Sequence, residues 1–308
     1  MRSESTTDRV LMLRPAAFGF NLATSTSNVL QQEDATRQPS EIARAALAEF
    51  DALRLSLEQA GVHVVCHEDT PQPQKPDAVF PNNWISMHRS GDLVLYPMLA
   101  ENRRAELRRD IVALLASEYG WPRIHDFSDP ATLGGVLEGT GSLVLDRVAR
   151  VAYACLSPRT QQAAVNEFCR RLEYEPQIFR AEDASGRPIY HTNVLLTLGL
   201  DFALLCLDAA GADSVGLARK LEAGGRELLP ISMQAMLGFA ANMLEVKNAA
   251  GDRLLVCSTR ALASLPRAAR RRLEGRLRFV TAPLTTIERY GGGSARCMLA
   301  EIFAPVTL

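Results

Sequence analysis

The sequence has no apolar run long enough to cross a membrane, no closely spaced cysteine pair and no excess of charge of either sign. A spanning helix needs about 18 or more apolar residues, and the longest stretch, around 194–210, is interrupted by glycine and aspartate. The chain has 34 Lys and Arg against 35 Asp and Glu, a net charge of −1. This balance provides no basic field for nucleic acid or an anionic membrane. We therefore expect neither kind of partner.

Six cysteines are scattered along the 308 residues without a Cys-x-x-Cys spacing. The polar segment 1–9 lacks the apolar core of a signal peptide. Such a cysteine pattern in a long chain is typical of reduced thiols, so we expect a cytoplasmic protein. No linker divides the chain, which is interpreted as one domain over 1–308. No cluster has metal-ligand spacing, and no metal or organic cofactor is expected.

What the sequence does contain is a weak internal repeat. Five short polar turns each lead into an apolar, strand-like run, with equivalent positions at Asn83, Ser142, Asn193, Asn242 and Ser294. The separations of 59, 51, 49 and 52 residues lie at or just beyond the upper range of repeat architectures. In the complete units a turn, a second strand and a helix-like segment follow. The unit is therefore predicted to be strand, turn, strand and helix, usually with one more strand.

Five such units, the first completed by the last strand of the chain, predict a closed ring with pseudo-five-fold symmetry. In a ring, the five polar turns converge on one central channel and build a single site from distant segments. The alternative is an open three-layer α/β sheet, which the same elements could build. The recurrence of the polar turn at one position of the unit favours the ring.

Cys297 stands apart from the other cysteines, which lie in apolar strand or helix patterns typical of small buried side chains. It closely follows Gly291, Gly292 and Gly293. Consecutive glycines let the backbone approach a ligand or adopt a positive φ. The adjacent Arg296 favours the thiolate, which is the reactive form of cysteine.

His191 and Glu138 lie at two more of the polar turns. His191 opens an apolar strand, and Glu138 precedes a glycine-rich turn at 139–142. Taken singly, each is equally compatible with a structural role, as a core histidine or a surface carboxylate. Cys, His and Glu at three equivalent turns form the constellation of nucleophile, general base and orienting acid.

Segments along almost the whole chain resemble the guanidino-group-modifying superfamily, whose fold is a five-bladed α/β propeller called the pentein fold. Within it, the chain most resembles the citrulline-utilisation hydrolases, which are related to arginine deiminase and dimethylarginine hydrolase. The matching segments follow the expected order: Phe-Pro-Asn-Asn-Trp at 80–84, Glu-Gly-Thr-Gly-Ser at 138–142, Leu-Ser-Pro-Arg-Thr at 156–160, His-Thr-Asn at 191–193 and Gly-Ser-Ala-Arg-Cys-Met at 293–298. The resemblance implies a single catalytic propeller domain over 1–308 that acts on a small amino acid.

By this resemblance, Cys297 is the nucleophile, His191 the general acid and base, and Glu138 the carboxylate that orients the site. Arg159 would hold the substrate α-carboxylate by a bidentate contact. Without the motif, Arg159 would be read as a surface arginine at the start of a helix. Phe80 is a further expected substrate contact.

Two asparagines and one arginine complete the expected substrate site, namely Asn83, Asn193 and Arg296. Arginine deiminases place aspartates at the positions that match Asn83 and Asn193, where they pair with a cationic guanidinium. A carboxamide both donates and accepts hydrogen bonds, which suits a neutral ureido group. The change favours citrulline over arginine as the substrate. The alternative is that the asparagines point into their own turns.

The expected reaction begins when thiolate Cys297 attacks the ureido carbon of citrulline. His191 then protonates the leaving nitrogen and activates the water that hydrolyses a carbamoyl thioester, giving ornithine, ammonia and carbon dioxide. Arginine deiminase and dimethylarginine hydrolase activities are alternatives, as are an amidinotransferase and a non-catalytic ribosome-binding propeller. The sequence leaves open whether segment 18–38 forms a lid and whether the chain is a homo-oligomer.

Overall fold

The computed structural model describes residues 5–305, and in this range the strands form five three-stranded sheets. The strands in chain order are β1 (Arg9–Arg14), β2 (His63–Glu68), β3 (Ile85–Met87), β4 (Asp92–Leu95), β5 (Arg123–Asp126), β6 (Leu143–Asp146), β7 (Val151–Cys155), β8 (Glu175–Phe179), β9 (Leu196–Leu198), β10 (Phe202–Cys206), β11 (Glu227–Ile231), β12 (Leu244–Lys247), β13 (Arg253–Ser258), β14 (Arg278–Ala282) and β15 (Ala300–Glu301).

The α-helices alternate with these strands, and several are single turns. In chain order they are α1 (Leu22–Ser25), α2 (Pro39–Gln59), α3 (Glu101–Arg104), α4 (Arg109–Tyr119), α5 (Gly139–Ser142), α6 (Gln162–Leu172), α7 (Thr192–Leu195), α8 (Leu207–Ala210), α9 (Ser214–Ala223), α10 (Met233–Leu237), α11 (Thr259–Ser264), α12 (Arg267–Glu274) and α13 (Thr285–Gly291). Short 3₁₀ turns include Pro81–Asn83 and Ala295–Met298.

Each sheet follows one connectivity. In the second blade, β3 pairs antiparallel with β4 through a tight turn, and β4 pairs parallel with β5 after a crossover that contains α3 and α4. A tight turn can join only antiparallel strands, and a parallel pair needs a crossover of a dozen or more residues, usually a helix. The predicted unit of strand, turn, strand, helix and strand is confirmed.

The first sheet joins the two ends of the described chain. Here β1 pairs antiparallel with β15, Val10 facing Glu301, and parallel with β2, Val10 facing Val64. The last strand therefore completes the first blade. The five-bladed pseudo-five-fold α/β propeller, the pentein fold, is confirmed over the open sheet.

The longest helix shows how the blades acquire their core. In α2, Ile42, Ala46, Phe50, Leu53 and Leu57 recur at helical spacing and are buried. Full burial of one large apolar side chain is worth about 1.5–3 kcal/mol relative to exposure. This face packs against β14 and α13, and thereby places the helix that leads into the nucleophile turn.

The helical segment of the second blade is divided into α3 and α4. The break has a local cause, because Arg103 and Glu106 turn inward and form a buried ion pair with Nε 2.8 Å from Oε1. α4 then runs from Arg109 until Gly120 ends it in the left-handed conformation, with φ 74°.

The polar turns that precede the first strand of each blade converge. α5 contacts the Pro81–Asn83 turn and α7, and the Pro81–Asn83 turn contacts Ala295–Met298. Segments far apart in sequence thus meet at one end of the channel. No helix within residues 5–305 has the length and apolar character needed to span a bilayer. Cytoplasmic location and a single domain over 1–308 stay predictions.

Candidate active site

The Cys297 sulfur is buried among amide groups. Cys297 lies on the Ala295–Met298 turn, and its backbone N–H donates to the Ser294 carbonyl oxygen at 3.0 Å. Nδ2 of Asn242 donates to Sγ at 3.3 Å and Nδ2 of Asn193 at 3.4 Å. Asn242 belongs to the predicted repeat, but sequence reasoning assigned it no role. Its place in the repeat was the signal that could have identified it.

The three positions before the nucleophile require glycine for two separate reasons. Gly292 adopts a left-handed φ of 64° and ends α13, which is one of the two uses that the sequence suggested for these glycines. Gly291 and Gly293 instead leave room for the Phe80 ring, because an added Cβ would lie 2.7 Å and 3.0 Å from it. The glycines therefore bring the nucleophile turn against the ring of Phe80, which forms one wall of the cavity.

His191 and Glu138 form a buried hydrogen-bonded pair, with Nε2 2.8 Å from Oε2. The second carboxylate oxygen accepts the backbone N–H of Leu99 at 3.1 Å, which fixes the carboxyl plane. Gly141 makes this approach possible, because a Cβ there would lie 2.6 Å from His191 Nδ1 and 2.5 Å from Asn83 Nδ2.

The charges around this pair set its protonation state. Burial alone would raise the pKa of Glu138, but the Arg159 guanidinium, the His191 hydrogen bond and Arg103 outweigh it and hold that pKa far below its usual range. Burial lowers the pKa of His191 to about 4; Glu138 opposes this and the two arginines reinforce it. At neutral pH the imidazole is therefore neutral and Glu138 ionised. Nε2–H donates to Glu138, so the lone pair lies on Nδ1.

Arg159 joins this pair to segment 18–38. Its Nη1 lies 3.5 Å from Glu138 Oε2, while Nε and Nη2 donate to Ser27 Oγ at 3.0 and 2.9 Å. Nη2 also donates to the Thr24 carbonyl oxygen at 3.1 Å. Asn28 Nδ2 donates to the Gly291 carbonyl oxygen at 3.1 Å. The segment is therefore fastened on two sides and covers the site.

Asn83 does not point into its own turn alone. Its Oδ1 accepts from Arg103 Nη2 at 3.0 Å, and its Nδ2 donates to Asn82 Oδ1 at 3.1 Å. Arg103 also lies 3.5 Å from both Asp77 and Glu138. Arg103 is thus a residue of the site that the sequence did not reveal.

Asp77 is the second residue that sequence analysis missed. Its Oδ2 accepts from Asn21 Nδ2 at 2.7 Å, whereas the buried Oδ1 has no hydrogen-bond partner among residues 5–305. Burial raises the pKa of Asp77, against the lowering effect of Arg103. Burial likewise raises the pKa of Glu106 to about 7, although Arg103 opposes it. Burial thus outweighs the effect of Arg103 at both carboxyls.

Arg296 is not brought to this cavity. Its guanidinium donates to the Leu299 carbonyl oxygen and to Glu301, both at 2.9 Å, and lines a separate cavity with Arg147 and Arg226. Successive side chains of a 3₁₀ turn point about 120° apart, since it has about 3 residues per turn. Arg296 therefore faces away from its neighbour Cys297, and the expected substrate contact is not formed.

The remaining predicted residues surround one small cavity of about 10 Å³. Five of the residues that line it were predicted from the sequence, namely Cys297, His191, Asn83, Arg159 and Phe80. Asp77 and Arg103 also line it. Asn193 and Glu138 adjoin it through their hydrogen bonds to Cys297 and His191. Within residues 5–305, no group of three His, Cys, Asp or Glu could hold a metal ion.

A family model described as N,N dimethylarginine dimethylhydrolase, eukaryotic, matches residues 14–304 of the chain. No curated protein sequence matches the chain significantly.

Solved structures share the fold at low sequence identity. The N-terminal domain of ArgZ, an arginine dihydrolase from the ornithine–ammonia cycle in cyanobacteria, superposes with a TM-score of 0.74 at 18% identity, covering 97% of this chain and 99% of that one. Against apo ArgZ the TM-score is 0.74 at 19% identity, but the match covers 97% of this chain and only 41% of that chain. A dimethylarginine dimethylaminohydrolase variant bound to S-methyl-L-thiocitrulline gives 0.67 at 16% identity, covering 96% and 100%.

Proposed function

The chain belongs to the N,N dimethylarginine dimethylhydrolase family of guanidino-modifying hydrolases, and we propose that it hydrolyses citrulline to ornithine, ammonia and carbon dioxide with Cys297 as nucleophile. His191 serves as general base and acid, and Glu138 orients it. The resemblance stated from the sequence is thereby confirmed at the level of the superfamily.

The observation that carries the choice of citrulline is the surroundings of the Cys297 sulfur. Its two side-chain donors are the carboxamides of Asn193 and Asn242. A buried guanidinium needs a carboxylate partner, because an unpaired buried charge is strongly unfavourable. A neutral ureido group needs only donors and acceptors. Asn193 Oδ1, buried without a partner among the described residues, supplies an acceptor for its N–H groups.

The opposite part of the cavity suits the head of an amino acid. The unpartnered Asp77 Oδ1 would accept from the α-ammonium group, whose positive charge offsets the effect of burial on that carboxyl. Arg103 and Arg159 would hold the α-carboxylate.

Entry requires movement of segment 18–38. The Arg159 donors are occupied by Ser27 and Thr24, and the cavity of about 10 Å³ has no room for an amino acid, whereas a usual ligand site measures about 300–1,000 Å³. We therefore propose that the segment is a lid, which opens to release Arg159 for the substrate carboxylate.

The protonation states of His191 and Glu138 give the order of the proposed proton transfers. His191 Nδ1 takes the thiol proton of Cys297, and the thiolate attacks the ureido carbon. The imidazolium then protonates the leaving nitrogen, and a carbamoyl thioester remains on the sulfur. Next, Nδ1 accepts a proton from water as the water oxygen attacks the thioester carbon. The C–S bond breaks, the proton returns to the sulfur of Cys297, and the released carbamic acid decomposes to ammonia and carbon dioxide. One water is consumed overall, and ornithine, ammonia and carbon dioxide leave.

Arginine or dimethylarginine is the second candidate substrate, favoured by the family description and by the arginine dihydrolase among similar folds. In that case the α-amino acid head would bind in the same place. Neither an amidinotransferase nor a ribosome-binding role gains support from a hydrolase family.

The substrates are distinguished by their products. Purified protein is incubated separately with citrulline, arginine and dimethylarginine, and ornithine, citrulline, ammonia and dimethylamine are quantified. We expect ornithine and ammonia from citrulline, with kcat/KM at least about 100-fold above that for arginine, as a lost charge pairing implies. Citrulline formed from arginine, or dimethylamine from dimethylarginine, without ornithine from citrulline would refute the proposal. Cys297→Ala protein is the blank.

A further inference from the structure

We propose that Asn242 is the positioning residue of the nucleophile, and that with Asn193 it forms a two-amide cradle that stabilises Cys297 as the thiolate. The inference rests on the proposed role of Cys297 as nucleophile and is independent of which substrate the protein hydrolyses.

The orientation of the Asn242 carboxamide is determined by its neighbours. Asn242 is fully buried, and one of its amide atoms lies 3.0 Å from the backbone carbonyl oxygen of Asn193. A carbonyl oxygen only accepts, so this atom is the nitrogen. Its second hydrogen is directed to Cys297 Sγ, 3.3 Å away. Asn242 therefore fixes the backbone of Asn193 and the sulfur with a single NH₂ group.

Asn193 supplies the second donor. Its Nδ2 lies 3.4 Å from Sγ, while its Oδ1 is buried and has no partner among the described residues. Hydrogen bonds to an ionised acceptor are roughly twice as strong as those between neutral groups. Two N–H groups directed at one sulfur therefore favour the thiolate over the thiol, which is only a weak acceptor.

The same residues also accommodate the resting thiol. Asn242 Oδ1 lies 3.6 Å from Sγ, within reach of an S–H donor. The sulfur can thus gain or lose its proton without displacement of either asparagine. Arg296, the cation next to Cys297 in sequence, donates instead to Glu301 and Leu299. The hydrogen bonds that stabilise the thiolate are therefore assigned to the two carboxamides, and Arg296 donates none of them.

The test measures the thiolate itself. The ultraviolet absorbance of the thiolate is followed against pH in the intact protein, with Cys297→Ala protein as the spectral blank. For each variant, the blank is the same protein with Cys297→Ala added. In Asn242→Ala we expect the midpoint of the Cys297 signal to move up by about one to two pH units, with kcat reduced at neutral pH and KM little changed. Asn242→Ser, which keeps one donor, is expected to recover part of the shift.

Asn248→Ala is the matched control, because Asn248 is a buried carboxamide of the same blade that donates to Ala60 and Asp252, far from the cavity. It is expected to leave the midpoint unchanged. An unchanged midpoint in folded Asn242→Ala or Asn242→Ser protein overturns the proposal. Failure of citrulline hydrolysis with a shifted midpoint would refute the substrate and leave the cradle intact.

Discussion

The two ends of the blade hairpins differ in whether their buried polar groups have hydrogen-bond partners. At the end where the polar turns meet, Asp77 Oδ1, Asn193 Oδ1 and Tyr290 Oη are buried without hydrogen-bond partners. At the other end, buried charges are paired: Arg226 with Asp146 at 2.5 Å and Arg296 with Glu301 at 2.9 Å. Within residues 5–305, no unpartnered buried atom belongs to the hairpin turns at 88–92, 147–150, 199–201 or 248–252.

This difference separates groups retained for stability from groups retained for binding. An unsatisfied buried polar group costs about 1–3 kcal/mol, so a fold tolerates several in one place only if something else completes them. At the end where the polar turns meet, the bound substrate would supply the missing hydrogen-bond partners. Substitutions at the end where the polar turns meet should therefore impair catalysis, and matched substitutions at the other end should impair stability.

The largest effect is expected for the two buried cysteines Cys297 and Cys257. Cys297→Ala should reduce kcat by about 10⁴-fold or more, because no other described group at the cavity replaces the nucleophile. Cys257→Ala, the same change within β13, should keep kcat and lower the free energy of unfolding by about 1 kcal/mol. Ornithine release and urea denaturation measure the two outcomes. Turnover by Cys297→Ala above about 1% of the wild-type rate would contradict the nucleophile assignment.

The next comparison is between two buried carboxylates, Glu138 beside His191 and Asp146 beside Arg226. Glu138→Gln should lower kcat/KM by about 10²–10⁴-fold, because the amide no longer holds His191 with its proton on Nε2. Asp146→Asn should leave kcat unchanged and destabilise the fold by about 3–5 kcal/mol, because Arg226 then remains buried and unpaired. Equal losses of kcat in both variants would remove the distinction between the two ends.

The repeat carried most of what the sequence could predict. Because the polar turns occupy one position of each unit, their convergence followed from the ring, and the pairing of His191 with Glu138 followed from convergence. The inward direction of Arg103 could not be predicted, since a one-turn helix has no periodicity to show which side faces inward. Arg296 was misplaced because adjacency in sequence says little about direction in a 3₁₀ turn. Asp77 lay just before a matching segment, where only the depth of burial distinguishes it.

Two aspartates with opposite pKa shifts offer a smaller, two-sided effect. Burial raises the pKa of Asp77, so Asp77→Asn should increase KM by about 10–100-fold while stability at neutral pH is kept or improved. Burial would raise the pKa of Asp92, which lies at a hairpin turn. Hydrogen bonds from Arg123, Ser90 and His125 instead hold this pKa well below its usual range. Asp92→Asn should therefore destabilise the protein above about pH 4 and leave KM unchanged. A KM unaffected by Asp77→Asn would exclude its role in binding the α-ammonium group.

The smallest effect concerns the pH dependence of the two buried histidines, one at each end. Burial lowers the pKa of His191 from 6.5 to about 4, and burial with Arg147 lowers that of His88. A histidine whose pKa falls on folding stabilises the protein fully above its unfolded value, and this contribution is lost as the pH falls towards the folded value. Both histidines should therefore contribute to acid denaturation, whereas only His191 should govern catalysis.

The acid limb of kcat/KM is accordingly expected near pH 4, well below 6.5, wherever the protein remains folded. His88→Gln should remove part of the acid destabilisation without moving this limb, because His88 bonds to Ser86 and Arg147 and not to the cavity. Stopped-time assays from neutral to acidic pH, paired with thermal denaturation at each pH, separate the two. An acid limb at the ordinary histidine value would mean that His191 is no longer buried beside Arg103 and Arg159 during catalysis. The lid would then have to open far enough for water to screen their charges before the thiol proton is transferred.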